Sequence, residues 1–156
     1  MSVMTLEQIQ PFVKALIDAH PQFLAKGVTA IIDDGTYPKL PGLEKALQNK
    51  GLAIIVWELM GLPGESAATG LSNLNLHIAI VIKENIKLNS DVHGTGIHAK
   101  TAMQYVLECV PGNPKRTPPG TPIKLHDEEP FEIMEIINGV RTIVVNFTKE
   151  HRINPI

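Results

Sequence analysis

His93 and His98 bracket Gly94, Thr95 and Gly96, and Asp91 lies close before them. Two imidazoles and a carboxylate are the donor types of a zinc or other transition-metal site. The spacing argues the other way. An i, i+5 pair does not share a helix face, it matches no standard ligand pattern, and a third imidazole would have to come from His77 in a separate strand. The better reading of this stretch is a loop capping the helix that follows, with Thr95 as the N-cap. The glycines around Thr95 are too few for a phosphate-binding loop, and no lysine stands where one is needed.

Other reactive side chains fare no better. Cys109, the single cysteine, falls within an apolar helical pattern and reads as a packing residue. No serine sits in a Gly-x-Ser-x-Gly elbow. Asp127, Glu128 and Glu129 precede Pro130 at the start of a strand and read as a solvated turn rather than paired catalytic carboxylates. Lys115 and Arg116, in a proline-rich stretch, could touch an acidic surface. These residues assign no catalytic group, no cofactor-binding residue and no metal ligand. A small metal-dependent enzyme using His93 and His98 stays as the lesser alternative.

The elements that would position such groups are clearer than the chemistry. In residues 71–83, Leu74, Leu76, Ile78, Ile80 and Ile82 fall on one face of a strand, and Asn75, His77, Ala79 and Val81 on the other. The rest of the chain packs around this strand. Before it, residues 52–59 form a buried apolar strand, joined to it by a loop punctuated with Gly61, Pro63, Gly64 and Gly70, which makes the two antiparallel neighbours.

Nearer the N-terminus, Thr5 and Gln8 form a capping box, and Leu6, Ile9, Val13, Leu16 and Ile17 recur at helical spacing until Pro21. Pro11 either kinks this helix or begins it. Residues 28–32 form a short strand or an extended arm, closed by a turn at Asp33, Asp34 and Gly35. Pro41 opens a second helix through Leu43, Ala46 and Leu47, ended by Gly51 in a left-handed cap.

After the central strand, a helix over residues 97–109 shows Ala99, Ala102, Met103, Val106, Leu107 and Val110 on its apolar side. A proline-rich loop covers about 111–126. A hairpin turning at Asn138 and Gly139 closes the chain, and counting from the turn pairs Ile137 with Val140, Met134 with Ile143, and Ile133 with Val144. Both of its faces are largely apolar, so one face is left for something beyond the core.

At 156 residues this is one domain spanning 1–156. The fold class is α+β, a mostly antiparallel sheet of about four to five strands with two to three helices packed on it. With 19% charged residues and a net charge of -2, direct nucleic-acid binding is not expected. No apolar run reaches the roughly 18 residues of a membrane span, so a soluble chain with no membrane partner, made in the cytoplasm, is expected.

The order of elements, carried by residues 52–59, 71–83, 97–109 and 141–147, resembles the bacteriophage tail terminator and tail-completion family of minor tail proteins. The resemblance implies a virion protein of a phage or prophage, made in the bacterial host cytoplasm. Such subunits form a homo-oligomeric ring, a hexamer in the usual case, that caps the tail tube and meets the head-completion proteins. It implies no catalysis and no cofactor. The contact elements in that arrangement would be the loops at 60–70, with Glu65, Ser66 and Thr69, and at 111–126, with Lys115 and Arg116. A non-viral α+β protein-binding module is the alternative from another class.

Overall fold

The computed structural model describes residues 6–40, 42–63, 73–89, 94–111 and 123–152. Helix α1 (Leu6–Asp18) is amphipathic and buries Ile9, Val13 and Ile17. It runs through Pro11 rather than starting there. A short helix, α2 (Pro21–Ala25), follows at once, so Pro21 both ends one pattern and opens the next. His20 caps it, its Nδ1 accepting from the Gln22 backbone N–H at 3.2 Å. Strand β1 (Ala30–Ile32) and helix α3 (Leu43–Lys50) come next, the helix closed by Gly51 at φ 71°.

Two long strands, β2 (Leu52–Pro63) and β3 (Asn73–Asn85), form an antiparallel pair. Both outrun the sequence reading: residues 60–63, expected in a loop, continue β2, and Glu84 and Asn85 continue β3. Helix α4 (Ala99–Cys109) is followed by β4 (Lys124–Leu125), β5 (Phe131–Ile133) and β6 (Val140–Arg152). β4 lies inside the stretch expected to be loop.

The described residues thus hold one mixed, mostly antiparallel sheet of six strands, one or two more than expected, with four helices where two or three were expected. The sheet order is β1-β2-β3-β6-β4, with β5 also on the outer side of β6. Among the described strands only the β1–β2 pair is parallel. The class is α+β, as the patterning implied.

The alternation of β3 divides the molecule into two layers of core. Leu74, Leu76, Ile78, Ile80 and Ile82 join Ile54, Val56, Ile143, Val145 and Phe147 under α1 and α4. On the reverse face Ala79 and Val81 join Ala53, Ile55 and Val144 under Leu40 and Leu43 of the α3 region. Burying each such aliphatic side chain stabilises by about 1.5–3 kcal/mol, so the larger α1/α4 face dominates. His20 is itself buried, stacks on Tyr105 at 4.6 Å between ring centroids and lies 3.1 Å from Glu108, tying α2 to α4.

Candidate functional site

Among the described residues, the side chains singled out for chemistry do not converge. His98 lies at the start of α4, where its Nδ1 meets Oε2 of Glu84 at 2.8 Å. Glu84 is 2% exposed and continues the aliphatic face of β3. Its carboxylate also accepts from Asn89 Nδ2 at 2.7 Å and from the Ala99 backbone N–H at 3.2 Å. Three donors around one buried carboxylate satisfy it and hold the N-terminus of α4.

Asn89 is the hub of this knot. Its Nδ2 also donates to the Ile97 carbonyl at 2.7 Å, and its Oδ1 accepts from Thr95 Oγ1 at 2.9 Å and the Gly96 N–H at 3.1 Å. Thr95 is therefore not the N-cap of α4. That position is His98, while the Thr95 hydroxyl accepts from Ile97 N–H at 3.1 Å inside the loop.

His77 stands about 23 Å from Glu84 along the strand, seven residues away, and points to the opposite face. It cannot join His98 around one ion. Its Nε2 meets Asn146 Oδ1 at 2.8 Å, and its ring lies 5.5 Å from that of His126. Among the described residues no three His, Cys, Asp or Glu side chains are gathered so as to hold a metal. Asp91 and His93 lie outside the described residues, as do Glu65, Ser66, Thr69, Lys115 and Arg116. Cys109 is buried against the α1/α4 core, as its pattern implied.

What the fold does build is a surface. Asn146 on β6 fastens a turn: its Nδ2 donates to the Glu129 carbonyl at 2.9 Å, its backbone N–H to the Pro130 carbonyl at 2.9 Å, and its carbonyl accepts from His126 N–H. His126 Nδ1 takes the backbone donors of Glu128 and Glu129. Asp127, Glu128 and Glu129 are exposed, the solvated turn their composition implied.

From this anchored turn springs an arm, residues 131–137, and every one of its side chains is exposed. Ile133 and Ile137 are each 65% exposed, Met134 53%, Ile136 51% and Phe131 39%. The arm lies along the outer side of β6 and turns at Asn138 (φ 52°) and Gly139 (φ 77°), the left-handed pair a two-residue hairpin requires.

Its register differs from the count made from the turn. Ile137 does pair with Val140, but Ile133 pairs with Ile143 and Glu132 with Val144. Four steps on the arm answer three on β6, so one extra residue is accommodated among 134–136. A one-residue slip exchanges the faces of a strand.

At the hairpin tip the Gly139 carbonyl accepts from the backbone N–H of Ile86, itself 42% exposed, which extends the apolar surface. Between the arm and α3 runs a groove of about 630 Å³ lined by Leu40, Leu43, Leu47, Met134, Ile137 and Val140. Single exposed aliphatics are ordinary on protein surfaces, but a contiguous run on a sheet edge marks a contact site. Together the arm, Ile86 and this groove form an exposed, largely apolar surface on one side of the sheet. The chain matches no protein-family model, and no curated protein is similar to it.

Proposed function

We propose that the chain is a structural subunit that works by assembling with copies of itself. Specifically, it is a tail terminator or tail-completion subunit of a phage or prophage, whose ring caps the tail tube and joins it to the head. The observation that carries this reading is the exposed apolar arm at residues 131–137, presented on the sheet edge by a turn that Asn146 and His126 fasten. A fold that ties down the root of such a segment and leaves its side chains to solvent is arranged for a partner. The α+β architecture and the order of its strands, which the family resemblance also implies, support the more specific role. Its partners are then itself, the tail tube and the head-completion proteins, and it acts in the virion without cofactor or catalysis.

Light scattering across a concentration series, with and without short tail tubes, tests the proposal. The expected result is a mass of several subunits, or a monomer that becomes a ring on the tube. Ile133→Lys/Ile137→Lys should abolish either. A chain that stays monomeric at every concentration and ignores the tube overturns the ring, and leaves the arm as the docking element of a protein-binding module.

A further inference from the structure

Resting on the self-assembly reading, we infer that the arm of one copy docks head-to-tail in the lysine-lined groove at the opposite sheet edge of the next copy. The arm is acidic as well as apolar. Residues 127–140 carry Asp127, Glu128, Glu129, Glu132 and Glu135 and no lysine or arginine. Among the described residues none of these carboxylates forms an ion pair. Two arms packed against each other would set like charges together, which disfavours a symmetric arm-to-arm dimer.

A complementary surface lies at the β1 edge. A groove of about 270 Å³ between β1 and α3 is lined by Val28, Ile31, Ala46 and Leu52, with Lys45 and Lys50 on the helix beside it. Among the described residues no carboxylate lines it, and both lysines are exposed and outside any ion pair.

The arm cannot reach its own groove, because four strand spacings, about 19 Å, separate the two edges. A contact between two different patches of one chain propagates from copy to copy, and closes into a ring when the rotation allows.

Charge reversal tests the contact. Glu132→Lys/Glu135→Lys and Lys45→Glu/Lys50→Glu are surface changes whose folding is checked by circular dichroism. Each alone should raise the concentration needed for assembly about tenfold or more, and the wild-type assembly should weaken as salt is added. Mixed in equal amounts, the two variants should assemble again, because every arm then finds a groove of opposite sign in alternating copies. If the wild type assembles and Lys45→Glu/Lys50→Glu assembles equally well, or if the mixture does not recover, the groove is not the arm's partner and self-assembly still stands. A wild-type chain that never assembles overturns both.

Discussion

The side chain on which most of the loop before α4 depends is Asn89, which engages Glu84, Thr95, Gly96 and Ile97 at once. Each buried partner left unsatisfied costs about 1–3 kcal/mol. Asn89→Ala should therefore lower the unfolding free energy by about 3 kcal/mol or more in urea titrations. His98→Ala removes one bond from a mostly exposed ring and should cost only about 1 kcal/mol. Equal losses would show that the knot is held from the histidine side.

Asp34 provides a pH signature. Hydrogen bonds from the Thr36 side chain and backbone hold its carboxyl below the ordinary 3.8. A depressed acid stabilises the fold above its unfolded value and loses that contribution as pH falls through the folded one. Stability should thus decline below pH 3.8, and Asp34→Asn should remove that part of the slope. Lys149 gives a dependence of the same sign in the alkaline range, since burial lowers its ammonium from 10.5. Its contribution to stability rises with pH between the folded and unfolded values, and Lys149→Met should flatten that rise.

Among the elements, α1 carries a removable penalty. Pro11 lies inside the helix, where it supplies no backbone donor to the preceding turn. Pro11→Ala should raise the melting temperature, corresponding to about 1–3 kcal/mol. The opposite holds at Gly51, which ends α3 at φ +71°. A Cβ there would come within 2.6 Å of the Asn89 Cα. Gly51→Ala should destabilise by more than the roughly 1 kcal/mol of a strained backbone alone, because it also forces the Asn89 loop aside.

The extents of β2 and β3, the bulge at 134–136, the strand β4 and the five-residue helix α2 were less legible than α1, α3 and α4. A helix announces itself through period and caps along one segment. The end of a strand depends on how far its neighbour continues, and β6 pairs with β3 over the full length of both.

For the whole molecule, stability and assembly should separate. Ile133 and Ile137 are mostly solvated, so Ile133→Lys/Ile137→Lys should change the unfolding free energy by no more than about 0.5 kcal/mol. The same pair should remove the higher mass in solution. A large fall in stability would mean that the arm belongs to the core of the subunit rather than to its contacts.

The sequence by itself determined the α+β class, the two-faced central strand, the cap of α3, the burial of Cys109 and the turn at Asn138–Gly139. Each follows from side-chain period or local backbone preference, which act over a few neighbouring residues. An acid in register with Leu74 to Ile82 was visible at Glu84, and was the one available signal that this strand carries a buried polar group. Only the tertiary structure decided that Glu84 belongs with Asn89 and His98, that His77 faces away from them, and that the arm is left to solvent. Those outcomes depend on which distant segments meet, and the arm's extra residue moves its side chains relative to β6 without changing the composition of either strand.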